Sequence, residues 1–553
     1  MTRRLVVCAI FVLLTAAVGP AVAGAAAPAT TPAEAPVLGA APTASADGGA
    51  SLSSLSTASP ASLSASSPAS LSPTASASQV VDSPESDSRL GCVDGVCHDD
   101  ELGFEEPTNL TDAELDALVD RSMARVEFLR GEQFDSTVDV EVRSRESFRA
   151  DSVMTNTSRT DSFQEWNDQV WEALFIVGEN RRSADAIDST VGAAVNGFYT
   201  PDGDRIVIIS ATPDAPTISE RTLIHELVHA FQHQRHDLTS QPYRTDTQDA
   251  GLAVDGVVEG EAGYLEARFE ERCESGQWEC LDEPLPVDSS SGDDSPTGNQ
   301  GVLLTLLQPY SDGPAYIHEV KSTEGWDGVD DRVASPPETT STIIDREPVE
   351  TPPLDVEDTA TDGWERYSGE GVGGAETVGE ASIYVMFWYQ AAEYDADTID
   401  TGSLRQTTTA YDRYNYSAAP SDGWAGDALY PYQRGDEDGY VWTTQWESTD
   451  DVQEFVAAYG AILDAHSAEE TDAGAYVVSE GSFSGAYAVE VTDTQVTIVH
   501  APTEAGLFEL QPELEPTALD SEQPLVEDDV PGFGVAVAVA AVVAVVAVGR
   551  RLG

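Results

Sequence analysis

The alternation of apolar and polar positions divides the chain into helical and extended segments from about Cys92 onward. Thr111-Asp112-Ala113-Glu114 forms a capping box, opening a helix with Leu115, Leu118, Val119, Val126 and Leu129 on one side. Val138, Val140 and Val142 alternate as a strand, and Phe163, Trp166, Val170, Trp171, Leu174 and Phe175 mark a second buried helix. Residues 197–209 read as a hairpin around a Pro201-Asp202-Gly203 turn. In the next segment, residues 222–233, Leu223, Leu227, Ala230 and Phe231 supply the apolar face of a helix. Residues 253–266 repeat a helical pattern with acids near its start. Further on, residues 378–392 predict a strongly buried helix and 440–446 a strand. An amphipathic helix then carries Phe455, Val456, Tyr459, Ile462 and Leu463, and alternating strands fill 476–499. The class these patterns predict is α+β, with a mixed C-terminal lobe ending in antiparallel strands.

The ends of the chain follow other rules. Arg3 and Arg4, the apolar run from Leu5 to Val18 and the small residues Ala21-Val22-Ala23 predict a secretory signal peptide over 1–23. Residues 24–88 are mostly Ala, Ser, Thr and Pro and cannot build a core. The remaining boundaries are a metal-binding lobe over 89–300, a C-terminal lobe over 301–502, an acidic tether over 503–530 and an apolar tail over 531–553 closed by Arg550-Arg551. The net charge of −71, with Lys321 the only lysine, excludes nucleic acid as a partner because a phosphate backbone would be repelled. Besides Cys8 in the leader, the cysteines form two close pairs, Cys92/Cys97 and Cys273/Cys280. A secreted chain predicts two local disulfides there, with a metal cluster as the rival reading. Asn109, Asn156 and Asn415 sit in N-glycosylation triplets.

Within the helix at 222–233, His225-Glu226-Leu227-Val228-His229 has the H-E-x-x-H form. Histidines four residues apart stack on one helical face, where two imidazoles bind one Zn²⁺ and the adjacent Glu226 activates water. A buried helix with two incidental histidines is the plain alternative. A catalytic zinc asks for a third protein ligand and an open position, and Glu259 and Glu261 in the second helix are the candidates. Their two-residue spacing keeps both from facing the metal together. His233 and Asp255 are candidates to fill the fourth position, and Tyr310, Tyr316 and His318 are candidate transition-state hydrogen-bond donors.

The stretches from His225 to Gln234 and from Glu259 to Tyr264 resemble the "HELxHAxQxQ … EGxAxY" pattern of gluzincin-like proteins of unassigned activity. The resemblance extends over most of 90–502 and points to Glu259 as the third ligand. It implies a zincin-like helix pair with an edge hairpin, and a metallopeptidase acting on a peptide or protein substrate. A non-catalytic surface protein with a stabilising zinc, and a metal-dependent amidase, are the rival functions. The acid-rich composition resembles that of extreme halophiles. Pro531-Gly532-Phe533, the apolar run after it and the terminal arginines resemble the haloarchaeal PGF-CTERM tail. That likeness implies processing by an archaeosortase and a membrane anchor on the outer face of the cytoplasmic membrane, with a retained transmembrane segment as the alternative.

Overall fold

In the computed structural model, the residues described are 11–14, 89–104, 108–144, 146–147, 160–201, 203–210, 212–213, 216–282, 298–354 and 356–519. Expectations for most of the leader, the low-complexity segment, the C-terminal tail and Asn156 lie outside them. The chain is a mixture of helices and several sheets, as the α+β pattern predicts. Both cysteine pairs are disulfides, Cys92–Cys97 and Cys273–Cys280.

The first layer starts with α1 (Asp112–Arg130), whose Thr111 accepts from the Glu114 amide while the Glu114 carboxylate accepts from Thr111, as the capping box requires. A four-stranded sheet has the order β1 (Phe11–Leu14), β3 (Val195–Thr200), β4 (Arg205–Ser210), β2 (Asp139–Ser144). The β3–β4 hairpin is antiparallel, and β2 joins β4 in parallel. Helix α4 (Glu220–His236) packs on β3 and on α1, with Ser219 capping its first turn. Helix α5 (Gln248–Glu274) and the long α6 (Gln300–Ala334), which bends at Gly325, complete this layer. Leu118, Ile206, Leu227, Val257, Ile317 and Ile343 share its core.

The second layer is a seven-stranded antiparallel sheet. Its strands, in chain order, are β5 (Glu365–Arg366), β6 (Trp424–Arg434), β7 (Glu437–Trp446), β8 (Glu469–Glu470), β9 (Tyr476–Val478), β10 (Gly485–Thr492) and β11 (Gln495–Ala501). In space β11 lies between β10 and β7. Helix α2 (Asp161–Ala173), α8 (Gly379–Tyr394, after the short α7, Thr340–Asp345) and α9 (Thr449–Ala465) pack against it, and α3 (Ser183–Ala194) and the start of α6 add to the same core. Trp166, Val170 and Trp171 therefore bury with Phe387, Trp442 and Ile498.

Two sequence boundaries are corrected. The division at 300/301 does not follow the cores, because α2 belongs with the C-terminal sheet and Tyr316, Ile317 and Val320 with the metal-motif helices. The tether does not begin at 503. Helix α10 (Glu504–Leu510) buries Leu507 and Leu510, and the Thr517 amide still bonds the Val489 carbonyl at 2.7 Å. An acidic composition masked Leu507, Leu510 and Leu514, which are buried in one cluster.

Helix α5 holds four interior glycines, a composition that weakens an isolated helix. Packing explains them. A Cβ on Gly260 would lie 2.6 Å from the Gly313 backbone, and one on Gly263 would lie 2.8 Å from Pro314. The α5 and α6 backbones touch, and only glycine on both sides permits it. At its start α5 is tied to the later chain: Asp249 Oδ1 accepts from the Thr340 amide at 2.9 Å and its hydroxyl at 2.6 Å, and the Gln248 amide donates to Glu376 at 2.8 Å.

Gly313→Ala is expected to lower unfolding stability by about 1–3 kcal/mol through overpacking, whereas Gly369→Ala, with open space around it, stays near wild type in denaturant titration. Burial pushes the Asp249 carboxyl up to about 7, helped by Asp427 and opposed by Thr340. A carboxyl raised in the folded state binds its proton more tightly there, so this contribution is complete below pH 4 and lost as pH rises through 7. Asp249→Asn, which keeps an acceptor for Thr340, should gain stability relative to wild type between pH 5 and 8. Denaturant titrations in molar salt across that range measure the difference.

Candidate metal centre

His225 and His229 lie one turn apart on α4 and face Glu259 of α5, all three buried. Their ligand-type atoms lie within 4.8 Å of one another. Glu259 Oε2 is 3.0 Å from His225 Nε2 and 3.2 Å from His229 Nε2. The other ring nitrogens are held from behind. His225 Nδ1 is 2.9 Å from Glu266 Oε2, and His229 Nδ1 is 3.0 Å from Gln232 Oε1. An ionised carboxylate and an amide oxygen only accept, so both Nδ1 atoms carry hydrogens and donate. In neutral rings both Nε2 lone pairs then converge on a carboxylate oxygen.

Three acceptors pointed at one spot repel one another unless positive charge lies among them. The titration of the group states the same requirement. Burial lowers the His225 pKa, but hydrogen bonds to Glu259 and Glu266 carry it up to about 10. Burial raises Glu259, yet His229 and His225 hold it down at about 2. A metal cation meets this requirement as a proton does. The geometry fits one, since a tetrahedral ion with bonds of about 2.0–2.1 Å holds its ligand atoms about 3.3 Å apart. The buried His225, His229 and Glu259 can therefore hold a metal.

Glu226 is fully buried next to this set, and neither carboxylate oxygen has a hydrogen-bond partner of ordinary geometry. Burial pushes its pKa up to about 7, opposed by His225, His229 and the Tyr199 backbone amide on β3. Leaving a buried carboxyl without such partners costs stability. Its place next to a potential metal position is where a proton acceptor is useful.

The remaining candidates separate cleanly. Glu261 points away from the histidines: Arg130 Nε donates to it at 2.7 Å and Gln232 Nε2 at 2.9 Å. It supports His229 at one remove, and Arg130 also pairs with Asp330. Tyr310 does reach the site, donating its hydroxyl to Glu259 Oε1 at 2.9 Å and stacking on His225. Tyr316 lies instead in the core, with Arg332 beside its hydroxyl. His318 stacks on Tyr411 at 4.3 Å and lies tilted against Tyr264. Neither joins the group, because Tyr316 and His318 project from other sides of α6 than Tyr310. His233 is also elsewhere, accepting from the Leu238 amide at 3.1 Å. Asp255 is one turn before Glu259 and is pushed up to about 7 by burial and by that neighbour, but it is not among the converging ligand atoms. Asn109 is exposed, while the Asn415 side chain accepts from the Ser417 amide at 3.1 Å.

Four supporting residues escaped the sequence reading: Gln232, Glu266, Arg130 and Arg413. Two had a signal. Gln232 follows His229 by three positions and Glu266 follows Glu259 by seven, spacings that share a helical face. The arginines come from distant segments with no such mark.

Glu259→Ala is expected to abolish stoichiometric uptake of Zn²⁺ or Co²⁺. Glu261→Ala should retain uptake but lower unfolding stability by about 3 kcal/mol, because buried Arg130 loses one of its two anions. Metal titration and denaturant unfolding of both variants measure the contrast.

Comparison with known proteins adds one finding. Residues 365–511 match the family described as Domain of unknown function (DUF8575), a stretch running from β5 to α10 that contains none of His225, His229 and Glu259. No curated protein and no solved structure matches the chain.

Proposed function

We propose that this protein is a zinc-dependent metallopeptidase of gluzincin type, secreted and anchored at the outer face of the cytoplasmic membrane. The observation that carries the reading is Glu226, a buried carboxylate without ordinary hydrogen bonds next to a His₂Glu donor set. Zinc is the metal this set suits, since imidazole and carboxylate are its usual ligands in hydrolytic sites. The packed pair α4–α5, with the β3–β4 hairpin alongside, supports the zincin-like expectation. The anchoring is carried by the terminal sequences alone; among the described residues no helix is long and apolar enough to cross a membrane.

A zinc ion held by His225, His229 and Glu259 would polarise a peptide carbonyl and make water a better nucleophile. Glu226 then takes the proton from the water as its oxygen bonds to the carbonyl carbon. The same carboxyl gives that proton to the amine nitrogen as the C–N bond breaks, leaving a carboxylic acid and an amine. A buried carboxyl whose oxygens are not tied up by ordinary hydrogen bonds is placed for both halves of this transfer. Glu266 and Gln232 hold the imidazole tautomers, and Tyr310 fixes the second oxygen of Glu259.

One observation favours the other reading, a metal that only stabilises a surface protein. His225, Glu226, His229 and Glu259 are each no more than 2% exposed. A closed structural site has that property too.

Glu226→Gln separates the two. It should keep the metal and lower peptide hydrolysis by about 10²–10⁴-fold, assayed on a mixed peptide library in molar salt with cleavage read by mass spectrometry. Full hydrolysis by the variant, or none by the metal-loaded wild type, would overturn the peptidase reading.

A further inference from the structure

We propose that the arm Tyr411–Tyr416, inside the segment that matches the family of unknown function, is part of the metal centre, with Arg413 a positioning residue that holds His225 through Glu266. The inference rests on the metal-binding reading of His225, His229 and Glu259, and not on peptidase activity.

The arm has no regular secondary structure, yet nearly every residue of it is fastened to the helices around the site. Tyr411 packs on Tyr264 of α5 and stacks on His318 of α6. Asp412 pairs with Arg346 at 2.7 Å. Ser311 of α6, the residue after Tyr310, accepts from the Tyr414 amide at 2.9 Å and donates to the Tyr414 carbonyl at 2.9 Å. The fully buried Tyr416 donates to the Leu304 carbonyl at 2.7 Å. These anchors span α5 and both sides of Tyr310 on α6, so the arm bridges the helix that supplies Glu259 and the helix that supplies Tyr310.

Arg413 is the one member of the arm directed at the metal-site support. Its Nη2 donates to Glu266 Oε1 at 3.2 Å, and Arg221 Nε lies 3.4 Å from the same oxygen. The other oxygen of Glu266 accepts from His225 Nδ1. A carboxylate held on one side by guanidinium groups presents its second oxygen in a fixed direction, which fixes the imidazole plane and keeps Nε2 free for metal. In a chain with 27 basic residues against 98 acidic ones, two cations on one buried carboxylate are a concentrated use of scarce positive charge. Tied down in this way, Arg413 makes the 365–511 segment a support of the metal centre rather than an independent module.

The test uses the full chain in molar salt. Zn²⁺ affinity is measured by competition with a chelating dye, Co²⁺ geometry by visible absorption, and melting is followed with and without metal. Glu266→Gln should weaken Zn²⁺ by about 10–100-fold. Arg413→Ala should weaken it by about threefold to tenfold, less than Glu266→Gln because Arg221 remains, and should perturb the Co²⁺ spectrum. Arg413→Lys should recover part of the loss. Added to Glu266→Gln, Arg413→Ala should have no further effect, because it acts through that carboxylate. The side chain of Arg413 is 42% exposed, so metal-free melting should stay near wild type while the metal-induced rise shrinks. Wild-type Zn²⁺ affinity in Arg413→Ala would overturn the proposal, as would an undiminished effect in the Glu266→Gln background or an equal fall in melting with and without metal. Each of these leaves the metal centre itself standing. A wild type that binds neither ion overturns the metal centre and the arm's role together.

Discussion

The geometry of the His225–His229–Glu259 group depends on the backbone contact between α5 and α6, where Gly260 meets Gly313 with no room for a Cβ. Because these helices touch, α5 sits deep enough for Glu259 to reach between His225 and His229 of α4. The same contact brings Tyr310 of α6 onto the second oxygen of Glu259. Side chains of ordinary size at the crossing would move α5 outward by more than a hydrogen bond tolerates. The glycines that weaken α5 as an isolated helix are therefore what allow it to carry Glu259 to the two histidines.

Charge is arranged around this contact with economy. The surface is strongly acidic, but α1 places Arg121, Arg125 and Arg130 in the interior. Arg121 and Arg125 share Glu220 at the start of α4, and Arg130 joins Glu261 to Asp330. A buried ion pair offsets its desolvation only when hydrogen bonds satisfy both partners. Here those bonds lock α1 to the two helices of the site. The pair at Glu220 orients the first turn of α4, and the pair at Glu261 holds Gln232 behind His229. The acids without such cations, Asp249 and Glu376 at the start of α5, instead have pKa values raised by burial.

Much of the site was readable because helical spacing is local. His225 and His229 needed only the four-residue repeat to share a face, and Glu259 stood out in a second helical pattern with the right motif around it. Choosing between Glu259 and Glu261 needed more than spacing, and the two now have distinct partners. Tyr310 could not be told from Tyr316 or His318, since rotation about α6 decides which of them meets α5. The prolines at 309 and 314 also hid that α6 runs unbroken past them. The end of the fold was misplaced because three buried leucines lie in an acidic stretch that reads as tether.

By itself the sequence determined the α+β class and the capping box of α1, and it marked the two cysteine pairs and a His-Glu-His helix, all set by contacts within a few residues. The tertiary structure decided which distant groups complete the site: Glu266 and Gln232 behind the histidines, Arg130 from α1, and Arg413 from an arm about 150 residues beyond its partner carboxylate. It also decided that α2 packs with the C-terminal sheet and not with the core of α4 and α5. The physical reason is the same in each case. Periodicity says which face of an element is apolar or ligand-bearing, whereas the partner of that face depends on how closely two backbones can approach and which buried charges must be neutralised there.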